Sequence, residues 1–207
     1  MDEATEVLDY WFAPPDSEEH GAHRELWFDG GPEIDAEIAK RFGPLHGRAA
    51  AGELDHWRDD ARACLALILV LDQFPRNMLR ATPEAFATDA KAVEIARHAV
   101  ERGYDQGLHP NFQQFYYMPF EHSDDLADQR RSVELFGACA DHERKKENLR
   151  YAVQHLEIIE RFGRFPHRNA ILGRESTPEE LEFLEHGGED VQFGTQRNQV
   201  PEDDPPG

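Results

Sequence analysis

The stretch Cys64-Leu65-Ala66-Leu67-Ile68-Leu69-Val70-Leu71 is an unbroken apolar run inside a segment with helical character. The whole segment, residues 59–72, is apolar on nearly every side, which is typical of a helix at the centre of a protein. The run is too short to span a bilayer, which needs about 20 apolar residues. Because proline lacks a backbone donor and pushes the preceding residue out of the helical region, Pro75 predicts that this helix ends near Asp72.

Apolar residues recur at helical spacing on both sides of this central segment, and no convincing strand alternation is present. Helices are predicted over residues 4–12, 32–51 with an interruption at 43–44, 82–102, 109–119, from 123 onward, 141–162 and 177–187. Thr177, Pro178 and Glu180 form a capping-box pattern at the start of the last helix. These patterns predict an all-α protein whose single domain, residues 1–188, contains about seven to nine helices. Residues 189–207 are polar and rich in proline, so a disordered acidic tail is predicted there.

The composition is strongly acidic, with 42 Asp and Glu residues against 22 Lys and Arg residues and a formal net charge of −20. Such a charge repels phosphate backbones and anionic lipids, so neither nucleic acid nor membrane is expected as a partner. Cys64 and Cys139 are the two cysteines and form no Cys-x-x-Cys motif. The N-terminal residues lack the pattern of a signal peptide, which makes a reduced cytoplasmic location the expectation.

Two segments of the sequence resemble each other. One reads Phe74-Pro75-Arg76-Asn77-Met78-Leu79-Arg80, and the other reads Phe165-Pro166-His167-Arg168-Asn169-Ala170-Ile171-Leu172-Gly173-Arg174. Each follows a predicted long helix and leads into a Thr-Pro-Glu helix start. The match needs small insertions, so it suggests an internal duplication without establishing one.

Two interpretations of these segments are open. In the structural one, proline breaks the helix, asparagine bonds the local backbone in a turn, and arginine satisfies the last helical carbonyls. In the functional one, arginines gathered in so acidic a chain form a small cationic pocket if the two turns approach each other. Guanidinium groups match carboxylate and phosphate oxygens in bidentate geometry, so the ligand would be a compact anionic metabolite.

Three histidines are further candidates for the same site. His122 follows an aromatic-rich segment and precedes a predicted helix start, where the helix dipole would lower its pKa and make it a base or ligand. The alternative is that His122 only shapes the helix cap. His155 lies on an apolar helix face, where a satisfied core histidine is the usual reading, and His167 lies among the arginines of the second segment. No zinc-binding spacing and no nucleophile motif is present, so no metal and no cofactor is predicted.

Three strings of the sequence are Leu71-Asp72-Gln73-Phe74-Pro75-Arg76-Asn77, Met118-Pro119-Phe120-Glu121-His122-Ser123-Asp124-Asp125 and Arg161-Phe162-Gly163-Arg164-Phe165-Pro166-His167-Arg168-Asn169. Together they resemble the bacterial family catalogued as domain of unknown function 924. The resemblance covers about residues 4–186 and implies an all-α fold similar to tetratricopeptide-type helical hairpins. It implies no activity. The regular 34-residue tetratricopeptide period is missing from the sequence.

Two functions therefore compete at the level of sequence. The first is binding of an anionic small molecule in a cationic pocket, with or without catalysis. Its predicted ligand-binding residues are Arg76, Asn77, Arg80, His122, His155, Arg164, His167, Arg168, Asn169 and Arg174. The second is a helical adaptor that binds a protein or peptide partner in a groove. The sequence leaves the oligomeric state and the question of catalysis open.

Overall fold

The computed structural model describes residues 2–28 and 30–187, with the backbone alone for residues 186 and 187. Within these ranges the α-helices are α1 Glu3–Phe12, α2 Pro32–Ala50, α3 Ala61–Ile68, α4 Phe74–Met78, α5 Asp89–Glu101, α6 Pro110–Glu121, α7 Leu126–Ala138, α8 Lys145–Phe162 and α9 Pro178–Glu182. No strand occurs in the same ranges. The prediction of an all-α fold is confirmed, whereas the predicted tail, residues 189–207, lies outside the described residues.

Shorter helical turns connect these helices. Turns of 3-10 type occur at Glu25–Trp27, Asp55–Asp59, Pro83–Phe86 and Pro166–Arg168, and π-helical turns occur at Leu69–Gln73 and Phe183–Gly187. Because α3, the π turn at Leu69–Gln73 and α4 follow each other without a gap, they form one continuous helix with a widened turn in its middle.

The predicted central helix is confirmed as the centre of the core. Every residue from Cys64 to Leu71 is buried, and helices α1, α2, α5 and α6 pack around the continuous helix that contains them. Helix α7 packs against α6, and α8 packs against α7. A second, smaller apolar cluster of Ile158, Ile159 and Phe165 lies at the C-terminal end of the described chain. No helix in the described ranges combines the length and apolarity needed to cross a membrane.

The helix breaks predicted at proline are wrong at three positions. Pro44, Pro75 and Pro119 each lie inside a helical segment. At Pro75 the reason is visible, because the hydroxyl of Thr88 donates a hydrogen bond to the carbonyl of Leu71 at 2.6 Å. That carbonyl lies four residues before the proline, whose missing N–H would otherwise leave it without a helical donor. At Pro44 the helix surface is exposed, and water can satisfy the corresponding carbonyl of Lys40.

Several predicted helix starts move by a few residues. The hydroxyl of Thr82 donates to the carbonyl of Leu79 and caps no helix, so Pro83–Phe86 forms only a 3-10 turn and α5 begins at Asp89. Asp125 caps α7, since its carboxylate accepts from the backbone N–H groups of Ala127 and Asp128. The predicted capping box at Thr177 and Glu180 is confirmed.

Candidate functional site

The two similar segments converge on one carboxylate. We call residues 74–80 the first corner and residues 163–174 the second corner. Arg76 of the first corner donates two hydrogen bonds to Asp89, at 2.9 and 3.0 Å. Arg168 of the second corner donates to the same carboxylate at 3.2 Å. Asp89 is the first residue of α5, so the corners meet at the N-terminus of that helix.

A second buried acid, Asp72, links this pair to His122. The Asp72 carboxylate has no solvent exposure and lies in the π turn, one residue before Gln73. Nδ1 of His122 lies 2.8 Å from its Oδ1, and the amide of Gln73 donates to its Oδ2 at 2.6 Å. A guanidinium nitrogen of Arg76 lies 3.5 Å from Oδ1. We refer to Asp72, Arg76, Asp89, His122 and Arg168 as the corner cluster.

His122 is held at the end of α6 by contacts on two sides. The buried side-chain amide of Gln129 in α7 donates to the carbonyls of Glu121 and Ser123, both at 2.7 Å, and thereby fixes the turn around His122. Arg168 donates to the carbonyl of His122 itself at 3.1 Å. The imidazole is consequently positioned by its backbone and by Asp72 together.

A buried acid and histidine lie beside the corner cluster. Nδ1 of His155 lies 3.0 Å from a carboxylate oxygen of Glu121 and donates to the carbonyl of Tyr151 at 2.8 Å. Burial raises the pKa of Glu121 to about 8, with a further contribution from the charge of Asp72. Burial lowers the pKa of His155 to about 3. Both groups therefore favour their neutral forms near pH 7.

The charged groups of the corner cluster are also perturbed. Burial and the charge of Arg76 lower the pKa of His122, although Asp72 opposes them. Burial would raise the pKa of Asp72, but His122 and Arg76 outweigh this effect and lower it. Burial lowers the pKa of Arg168 to about 10 despite the nearby charge of Asp89. Perturbed groups gathered at one place are a recognised sign of a functional site.

Outside the cluster, each corner contains an arginine and an asparagine that share one acid. Arg80 and Asn77 both donate to Asp35, the arginine in bidentate geometry at 2.7 and 2.8 Å. In the second corner, Arg164 donates to Glu180 at 2.6 and 2.8 Å, and Asn169 donates to the same carboxylate at 3.3 Å. These four side chains stabilise the corners by donating hydrogen bonds to protein carboxylates.

The remaining predicted residues lie close to the second corner. Arg174 donates to the carbonyl of Phe165 at 3.1 Å, which lies beyond the end of α8 at Phe162, so this contact is not the helix-end role that the structural interpretation assigns to an arginine. The ring of His167 lies 5.5 Å from that of Phe165. Burial lowers the pKa of His167, and the positive charge of Arg168 lowers it further. The structure thus brings Arg76, His122, His155, His167 and Arg168 together and directs the other predicted residues to structural partners.

Sequence reasoning missed the acids of this site. Asp72, Asp89 and Glu121 were not among the candidates, although Asp72 precedes Arg76 by four residues, a spacing that pairs charges along a helix. It also missed Phe86, whose ring lies 4.7 Å from the guanidinium of Arg168 while Phe165 lies 4.3 Å from it. No group of three or more metal-binding side chains is arranged for a metal ion in the part of the chain that the structure describes.

Two surface clefts lie apart from the corners. One, of about 340 Å³, is lined by Asp55, Arg58, Lys91 and Glu94 among others. The second, of about 440 Å³, lies between the start of α1 and the turn that contains Trp57. Neither cleft is lined by a residue of the corner cluster.

Fold and site together define an all-helical protein with a buried cluster of arginines, carboxylates and histidines. The family model described as bacterial protein of unknown function, DUF924, matches residues 7–188, and the chain belongs to this family. The chain is also similar to a structure of a protein of unknown function from Agrobacterium tumefaciens. The two are 42% identical with a TM-score of 0.76, over 88% of this chain and 96% of that chain. No curated protein matches the chain. The family resemblance is confirmed, and the tetratricopeptide-like arrangement stays a prediction.

Proposed function

We propose that the protein binds a small molecule carrying a carboxylate or phosphate group at the outer edge of the corner cluster. The proposal is narrower than the ten-residue pocket expected from the sequence, because Arg80, Arg164 and Arg174 already contact protein oxygens. It centres on Arg168, with Arg76 and His122 beside it. Cytoplasmic location remains part of this proposal.

The observation that carries the proposal is the incomplete bonding of Arg168. Its Nη1 and Nη2 each make one bond longer than 3.0 Å, to Asp89 and to the carbonyl of His122. Its Nε is buried and has no hydrogen-bond partner among the described residues. A buried donor without a partner is costly, so an anion that completes this guanidinium would gain a charge-assisted hydrogen bond.

The surroundings of Arg168 support the same conclusion. Its guanidinium lies between the rings of Phe86 and Phe165, which restrict its plane and its position. It shares the carboxylate of Asp89 with Arg76, which also lies 3.5 Å from Asp72, so Arg168 has no carboxylate of its own at this edge. A site whose cation is already oriented loses little entropy when a ligand binds.

Calorimetry and thermal denaturation with inorganic phosphate, succinate and a sugar phosphate test the proposal. At least one anion is expected to raise the melting temperature, since a ligand at 100 times its Kd adds about 2.7 kcal/mol to the stability of the folded state. Arg168→Gln is expected to abolish this rise. Arg97→Gln is the control, because Arg97 forms a more exposed pair with Asp128 outside the two corners. Equal responses of the wild type and Arg168→Gln, or no response to any anion, would contradict the proposal.

The adaptor alternative has weaker support. Among the described residues the exposed large apolar side chains are Leu108, Leu181 and Leu184. Single exposed leucines are common on protein surfaces and do not define a groove for a partner.

A further inference from the structure

The contacts of His122 fix which of its ring nitrogens carries the proton. An ionised carboxylate can only accept hydrogen bonds, so Nδ1 must donate to Asp72 across the 2.8 Å contact. In the neutral imidazole the lone pair then lies on Nε2. The Nε2 atom has no hydrogen-bond partner among the residues that the structure describes, and the side chain is 12% exposed. His122 therefore presents an unprotonated nitrogen at the edge of the cluster.

The position of Asp72 in the helix favours its orienting the imidazole of His122. It occupies a π turn, a rare helical geometry that occurs frequently at functional sites. Its two oxygens are engaged by His122 and Gln73, so the carboxylate cannot rotate without breaking a hydrogen bond. A buried carboxylate that bonds one nitrogen of a histidine orients the other nitrogen for proton transfer.

We infer that His122 is a general base that activates water for hydrolysis of a carboxylic ester in an anionic substrate, with Asp72 as its positioning residue. The inference rests on the proposed function, because Arg168 would hold the anionic group of the substrate. Water is the nucleophile since the nearest hydroxyl in sequence, Ser123, is engaged by Asp128 at 2.7 Å and by the backbone N–H of Asp125 at 3.2 Å.

The reaction has two proton transfers through the same nitrogen. Nε2 of His122 removes a proton from water while the water oxygen attacks the ester carbonyl carbon, and the carbonyl electrons move onto its oxygen. The guanidinium group of Arg76 stabilises the negative charge that develops there, while Arg168 holds the anionic group of the substrate. The carbonyl then re-forms, the bond to the alkoxy oxygen breaks, and that oxygen takes the proton from Nε2. The products are a carboxylic acid, which ionises, and an alcohol.

Burial, together with the charge of Arg76, favours the neutral form of His122. The groups that face it are Asp72 in the π turn, Arg76 in α4, Asp89 in α5, Glu121 in α6, His155 in α8 and Arg168 in the second corner. Burial and Arg76 lower the pKa of His122, so the base form exists at pH values where a free histidine is partly protonated.

Histidine-labelled NMR tests the assigned proton position without any substrate. The ring nitrogens of His122 are expected to show Nδ1 protonated in the neutral form. Asp72→Asn is expected to remove this preference and to lower the pKa of His122, because the Asp72 charge raises it. A neutral His122 protonated on Nε2 in the wild type would overturn the inference.

Hydrolysis of 4-nitrophenyl succinate and of neutral 4-nitrophenyl acetate tests the catalytic role. The wild type is expected to prefer the anionic ester, and His122→Gln to lower kcat/KM by about 10²–10⁴-fold. Arg168→Gln is expected to act mainly through KM. His98→Gln is the control, since His98 contacts the backbone carbonyl of Arg58 away from the cluster. Wild-type rates at the buffer background, or equal rates in His122→Gln, would overturn the inference.

The two proposals can fail separately. Succinate is expected to raise the melting temperature of the wild type, and a cooperative thermal transition of His122→Gln without ligand shows that this variant is folded. If succinate stabilises the wild type and hydrolysis by the wild type is nevertheless absent, anion binding stands and the catalytic role is wrong. If succinate does not stabilise the wild type, the binding proposal is wrong as well.

Discussion

The two corners carry the same kinds of side chain on different backbones. The first contains Phe74-Pro75-Arg76-Asn77, and the second contains Phe165-Pro166-His167-Arg168-Asn169. The first corner lies inside a helix that continues through Pro75 after a π turn. The second follows a helix that ends at Gly163 in the left-handed conformation, and its proline opens a 3-10 turn. In both, the phenylalanine is fully buried and the arginine contacts Asp89.

This comparison shows what the shared pattern encodes. The partners are similar, because each corner also directs an asparagine and a second arginine to one acid, Asp35 or Glu180, although Arg80 follows its Phe-Pro string and Arg164 precedes its own. The backbones are not equivalent, and neither is the bonding of the central arginine. Arg76 has a bidentate contact with Asp89, whereas Arg168 has single contacts and a buried Nε without a partner among the described residues. The pattern therefore specifies convergence on Asp89, and the difference leaves Arg168 with more unused hydrogen-bonding capacity than Arg76.

Removing the shared carboxylate should have the largest effect. Asp89→Asn leaves two mostly buried guanidinium groups without their common counter-charge, and breaking a buried pair in this way costs about 3–5 kcal/mol. Urea denaturation measures the loss in the free energy of unfolding. Asp55→Asn is the control, because Asp55 pairs with Lys91 at the surface and should cost no more than about 1 kcal/mol. Similar losses in both variants would show that the corners do not depend on Asp89.

Part of this arrangement could be predicted from the sequence because it is local. The capping box at Thr177 and Glu180 spans three residues, and the apolar run from Cys64 to Leu71 marks the central helix by composition alone. The strings Phe-Pro-Arg-Asn and Phe-Pro-His-Arg-Asn also identified the two places at which the cluster forms.

The contact that joins the two corners could not be predicted because its residues are remote in sequence. Asp89 lies 79 residues from Arg168, and no spacing along the chain predicts that contact. The π turn was missed for a similar reason. Its carbonyl at Leu71 is satisfied by Thr88, 17 residues away, so a rule based on Pro75 alone predicted a helix end. Tertiary contacts decided both outcomes.

The stability of the continuous helix that contains the first corner should depend on the hydroxyl of Thr88. Thr88→Val removes the hydroxyl that bonds the Leu71 carbonyl and leaves that buried group unsatisfied, at a cost of about 1–3 kcal/mol. Thr82→Val is the control, because the Leu79 carbonyl that its hydroxyl contacts also accepts a backbone N–H. Denaturant titration of both variants provides the comparison. A loss in Thr88→Val no larger than that in Thr82→Val would mean that Pro75 is tolerated for another reason.

The end of α8 at the second corner should depend on Gly163 for its stability. Its φ of +67° is unfavourable for other residues, while a Cβ atom there would meet no atom within 4 Å. Gly163→Ala should therefore destabilise the protein by about 1–2 kcal/mol through backbone conformation alone. Gly47→Ala, in the interior of α2 and equally unhindered, should stabilise it by about 0.5–1 kcal/mol. Thermal denaturation distinguishes the two signs, and stabilisation by both would contradict the assigned helix end.

The contact between Arg164 and Glu180 in the second corner should contribute least to the stability of the protein. This contribution should depend on pH. The hydrogen bonds from Arg164 and the Thr177 backbone lower the pKa of Glu180 from 4.5 to about 2. An acid with a lowered folded-state pKa stabilises the protein above its unfolded-state pKa, and this contribution is lost as the pH falls through the folded-state pKa. Because Arg164 is 30% exposed and water screens the pair, Glu180→Gln should cost at most about 1 kcal/mol at pH 7.

Melting temperatures between pH 7 and pH 2 should show the difference between wild type and variant shrinking at the acidic end. In an Arg164→Gln background the difference should be smaller at every pH, whereas an unchanged difference would mean that Glu180 acts through its helix cap and not through the arginine.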